Sequence, residues 1–163
     1  MTYIRKELYL LKDFDFKIDI KKKKEVKPQD KFLIVIDVVN NDNGIFCLTT
    51  SLKGEISSTY KPLLVNNCNP LKDMHFFKFS DNKICANFNF NTQTYVNGVP
   101  SNVFEDSIVT LYQKYNNTGK AKNMGLITKE HFLSLLSCLC QSKFLSRELK
   151  ARLQQIGEEE SLS

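Results

Sequence analysis

The spacing of hydrophobic and polar positions changes several times along the chain, and each change marks an element. Ile4, Leu8 and Leu11 recur at helical spacing, which predicts a short helix over the first dozen residues. "FDFKIDI" then alternates strictly. Phe14, Phe16, Ile18 and Ile20 face one way and Asp15, Lys17 and Asp19 the other, as in a half-buried strand. Lys21 to Gln29, with Pro28, breaks that pattern. Phe32 to Val39 is an apolar run interrupted by Asp37, the signature of a central strand. "NNDNG" (40–44) is a turn, because Asn and Gly tolerate positive φ, and Ile45 to Leu48 is the returning strand.

Residues 52–73 lack periodicity and read as a long connection. "MHFFKF" and "ICANFNF" are two further strands, "NGVPSN" (97–102) a turn, and "SIVTLY" (107–112) another strand; "NNTGKAKN" is a flexible break. From Thr128 the period becomes helical. Phe132, Leu135, Leu136 and Leu139 form one stripe behind a Thr128 cap. "LSRELKARLQQIG" forms a second helix, with Ser146 as cap, Leu149, Leu153 and Ile156 on one side, and Gly157 as terminator. Short strands followed by helices predict an α+β fold with a small curved antiparallel sheet or barrel and C-terminal helices.

Composition narrows the class. With 163 residues, 42% hydrophobic and 25% charged, the chain suits one globular core. No apolar run approaches the roughly 18 residues of a membrane helix, and the N-terminus lacks the pattern of a secretory signal, so a cytoplasmic protein without membrane contact is expected. The five cysteines (47, 68, 85, 138 and 140) contain no CxxC. They read as reduced, small core residues; with two histidines besides, neither a metal nor another cofactor is expected. The net charge is +5, with five lysines within 21–27 and acidic residues at the C-terminus. A positive field of this kind attracts phosphate, nucleic acid included, although a lysine run also serves as a solvated loop that protects a sheet edge.

Candidate chemistry centres on Thr49, Thr50 and Ser51, three hydroxyls where a buried strand emerges. They either meet a phosphate or simply end a strand. His75 is either a general base or a half-buried strand residue, and His131 a surface or core-rim residue. Glu105 and Asp106 alternate to opposite faces and make no acid/base pair. Phe88, Phe90 and Tyr95, near Lys53, Lys61 and Lys83, either stack bases or fill a core. No Gly-rich phosphate loop, GxSxG, HExxH or paired CxxC occurs.

Three stretches carry a family resemblance: "FLIVIDVVNNDNGIFCLTTS", "NTQTYVNGVPSNVFEDSIVTLY" and "MGLITKEHFLSLLSCLC". Their order resembles the PemK/MazF-like toxins of type II toxin-antitoxin systems, from about Val26 to Leu153. The resemblance implies an SH3-like barrel domain over 26–157, an N-terminal extension of short helix and strand over 1–25, and an acidic tail over 158–163. It implies metal-independent cleavage of single-stranded RNA, an antitoxin protein as partner and a homodimer. In that mechanism a 2′-hydroxyl attacks the adjacent phosphate. Lys31, Thr50 and Ser51 would be catalytic, and Thr49, Lys53, Lys61 and His75 would bind substrate. The family's Arg-Pro step is replaced here by "PQDKFLI". Lys31 supplies charge there without the planar fork of Arg. The alternative is a non-catalytic module that keeps a groove for a protein or nucleic acid.

Overall fold

The computed structural model describes residues 3–14, 29–40, 42–51, 67–79, 83–91 and 93–163. Five strands form one antiparallel sheet: β1 (Glu7–Phe14), β2 (Gln29–Val38), β3 (Asn43–Leu48), β8 (Val103–Ser107) and β9 (Ala121–Leu126), in the order β8-β3-β2-β1-β9. Four shorter strands form a second: β4 (Thr50–Ser51), β5 (Cys68–Pro70), β6 (His75–Lys78) and β7 (Thr94–Asn97), in the order β4-β7-β6-β5. The chain passes from the first sheet to the second at Thr49, where β3 gives way to β4. Helix α1 (Ile108–Leu111) runs into a π turn (Tyr112–Asn116), and α2 (Lys129–Leu139) and α3 (Arg147–Ser161) close the chain. The fold is α+β, with antiparallel sheets and C-terminal helices, as the periodicity predicts. No helix among the described residues is long and apolar enough to cross a membrane.

Both faces of the five-stranded sheet are covered, which explains its long apolar runs. On one face Leu8, Ile34, Ile36, Ile45 and Cys47 join Phe77 and Val96 of the second sheet and Phe132, Leu135, Leu153 and Ile156 of the helices. On the other, Tyr9, Leu11, Leu33, Val35, Phe46 and Leu48 pack beneath Tyr3, Ile108, Leu111 and Tyr115. The β2–β3 hairpin is as expected. Its turn is tied by the Asn40 side-chain oxygen, which accepts from the backbone N–H of Asp42 and Asn43 at 2.8 and 2.9 Å.

Several local expectations fail. The N-terminal segment is strand β1, not helix: Leu8 faces one core and Leu11 the other, so their helical spacing records two buried faces. "ICANFNF" is no strand; within it only a bridge between Cys85 and Phe88 forms. "SIVTLY" becomes α1 and the start of the π turn, because Ser107 caps a helix by accepting from the Thr110 N–H. "AKN" (121–123) lies in β9, paired with β1, where a flexible break is expected. Helix α3 continues through Gly157 to Ser161, which places Glu158, Glu159 and Glu160 on a helix. The expected strand after Phe14 and the lysines of 21–27 lie outside the described residues, as does most of the connection over 52–73; its end, Cys68–Pro70, is strand β5.

A buried carboxylate locks α3 to the sheet. Asp37, the interruption in the β2 run, accepts from Arg5 at 2.9 Å and from Arg152 at 2.7 Å. Arg5 also pairs with Glu159 at 2.9 Å, and Lys6 with Glu160 at 2.5 Å.

Candidate functional site

The hydroxyl cluster sits where the chain crosses between sheets. The Thr49 N–H donates to the Phe32 carbonyl at 3.0 Å, continuing the β2–β3 ladder by one bond. The Lys31 ammonium donates to the Thr49 carbonyl at 3.4 Å. Burial alone lowers the Lys31 pKa from its ordinary value, because the charged form loses hydration. The fold thus brings an ammonium to the backbone of the hydroxyl run. Of the hydroxyls themselves, Thr49 is buried and Thr50 is half-buried. Thr50 pairs with Tyr95, which pairs with Lys78 on the next strand, so the three side chains share one face of the second sheet. Lys78, half-buried and two strands from Thr50, roughly 10 Å away by strand spacing, was not among the sequence candidates. Only the register reveals it. The Ser51 side chain, Lys53 and Lys61 lie outside the described residues.

His75 does not join this group. It alternates with Phe77 along β6 and points with it into the core, on the face opposite Lys78 and Thr50. Only 2% of it is exposed, so an RNA chain cannot reach it. Burial pushes its pKa down, although its hydrogen bond to the Cys138 carbonyl pulls the other way. His131 is buried too, in the first turn of α2. Its Nδ1 lies 2.6 Å from the Thr128 hydroxyl, and that hydroxyl accepts from the His131 N–H at 3.3 Å. Phe88 and Phe90 pack on Phe32 with ring centroids 5.4 and 5.0 Å away, and Tyr95 is buried. Phe88 and Phe90 thus line the rim of the core, as the plainer reading of their spacing has it, and Tyr95 packs edge-on against Phe76.

A second cluster surrounds His75. Cys68 on β5 and Cys138 on α2 form a disulfide across 70 residues. This corrects the expectation that all cysteines are reduced; Cys47, Cys85 and Cys140 are free. The cause is tertiary. Cys68 pairs with Phe77 in register, faces the core on the same side as His75, and meets α2 there. The His75 Nε2 lies 3.4 Å from each sulfur and 2.7 Å from the Cys138 carbonyl oxygen. The ligand atoms of Cys68, His75 and Cys138 all lie within 4.8 Å of one another, and all three residues are buried. No sequence pattern points to this set, since neither its spacing nor any pair of its members forms a known motif.

Protein-family models, curated proteins and solved structures contain no match to this chain.

Proposed function

We propose that the chain binds the phosphate backbone of single-stranded RNA along the β3–β4 edge, on an SH3-like arrangement of its two sheets. The observation that carries this reading is the Lys31 ammonium at 3.4 Å from the Thr49 carbonyl, beside half-buried Thr50. A cation, a hydroxyl and a strand end together suit an anionic oxygen. Lys78, on the Thr50 face of the second sheet, offers a second phosphate contact. The net charge of +5 supplies the attractive field.

A second reading adds chemistry: metal-independent cleavage, as in a toxin restrained by an antitoxin protein. The lowered pKa of Lys31 favours it, because a less basic amine exchanges protons more readily near neutral pH. Binding takes precedence because cleavage by 2′-hydroxyl attack needs one proton removed and another delivered. His75 is sealed in the core, and Arg5 and Arg152 are held on Asp37.

The test is a labelled single-stranded RNA incubated with the protein in EDTA at several salt concentrations. Binding without cleavage is expected. Log affinity should fall linearly with log salt, and Lys31→Ala should reduce the slope by about 0.7 for the lost phosphate contact. Cleavage lost in both Lys31→Ala and Thr50→Ala establishes the second reading. No RNA binding at low salt removes both.

A further inference from the structure

We propose that Cys68, His75 and Cys138 form a redox-gated zinc site: the disulfide closes it, and reduction by a thiol opens it to one Zn²⁺ per chain. This goes beyond the RNA reading and does not depend on it.

The argument is geometric. With Zn–S about 2.3 Å and Zn–N about 2.0–2.1 Å, a tetrahedral ion holds sulfur and nitrogen ligands about 3.6 Å apart and two sulfurs about 3.8 Å apart. The His75 Nε2 already stands 3.4 Å from each sulfur. Two edges of the ligand triangle therefore have nearly the length the ion requires, and only the sulfur–sulfur edge must open. The same nitrogen now donates to the Cys138 carbonyl oxygen at 2.7 Å; that bond gives way when the nitrogen takes the ion, and the fourth position is left to water. Two backbone elements fix the triangle: the β5–β6 pairing holds Cys68 and His75 on one face, and α2 brings Cys138 over them.

The charges favour the ion as well. Two thiolates and Zn²⁺ sum to zero, so the loaded site is neutral, whereas two bare thiolates in the same buried space are not tolerated. The balance is simple. Two small thiols reduce Cys68–Cys138 to two thiols and leave as their own disulfide. Zn²⁺ then displaces both thiol protons to solvent, and the imidazole stays neutral by carrying its proton on Nδ1 instead of Nε2. Reoxidation needs a disulfide or peroxide oxidant and expels the metal. Soft sulfur donors with one imidazole select zinc over magnesium or calcium.

The experiment uses the full chain in two forms, oxidised and thiol-reduced, each freed of metal by chelator under anaerobic conditions. Zn²⁺ is then added, excess is removed by dialysis, and bound metal is counted by mass spectrometry. Co²⁺ serves as a spectroscopic probe of thiolate ligation. One equivalent in the reduced form, none in the oxidised form, and thiolate-to-cobalt charge transfer are expected. His75→Gln should weaken binding at least about tenfold, and Cys68→Ser should abolish it. Circular dichroism accompanies each sample. A reduced chain that loses structure without zinc and regains it with zinc supports the proposal. The proposal is overturned if the reduced chain binds no zinc, stays unfolded in its presence, or binds it equally well after His75→Gln, which would leave the imidazole no part in holding the metal.

Discussion

Glu160 shows how a single residue ties the C-terminal helix to the sheet. It is 6% exposed and pairs with Lys6 at 2.5 Å and Arg5 at 3.6 Å. Burial pushes its pKa up, but the charges and hydrogen bonds of Lys6 and Arg5 together outweigh burial and hold it below its ordinary value of 4.5. A carboxyl depressed in the folded state contributes stability above its unfolded pKa and loses that contribution as pH falls through the folded one. The urea midpoint should therefore decline once the pH drops below about 4.5, and Glu160→Gln should flatten the decline across that window. Equal slopes in the two proteins would show that the pair stabilises nothing. At this scale the sequence was partly legible. Lys31, half-buried, meets the Thr49 backbone; His75, for which the sequence leaves a general base and a strand residue open, is a buried strand residue that faces away from Thr50, because a one-residue step in a strand reverses the face.

Elements were legible where local chemistry and tertiary packing agree. The β2–β3 hairpin combines a long apolar run with an Asn-rich turn, and nothing in the fold opposes it. Helices α2 and α3 begin where Thr128 and Ser146 predict. Reading failed where burial on both faces erased the period, as in β1, and where a cap was overlooked, as at Ser107. Gly157 failed as a stop because it lies within a helix that packs on α2; a Cβ there would stand 3.8 Å from Leu136, so the position is tolerant, and helical geometry continues. The caps themselves are testable. The Thr128 hydroxyl accepts from the His131 N–H and touches its ring. Thr128→Ala should cost about 1 kcal/mol in chemical denaturation, and Thr128→Ser should restore most of it. A loss under a few tenths would mean that packing alone holds the start of α2.

On the scale of the whole molecule, two sheets and two helices share one core, and Cys68–Cys138 pins the second sheet to α2 within it. No sequence pattern announces that link, because its ends lie 70 residues apart and only the assembled fold brings them within 5.4 Å, Cα to Cα. Closing a loop of that length removes chain entropy from the unfolded state worth about 4 kcal/mol. Metal-free reduction should lower unfolding free energy by about that amount, read as a shift in urea midpoint with the slope nearly unchanged. Zinc offers an independent way to recover the loss. A ligand held only by the folded state at a hundred times its dissociation constant returns about 2.7 kcal/mol. The reduced chain titrated with zinc should thus climb back over most of the gap, whereas the oxidised chain, its sulfurs already joined, should not respond. A reduced chain as stable as the oxidised one would mean that the unfolded ensemble is already compact around these residues, and that the covalent link stabilises the fold far less than its span suggests.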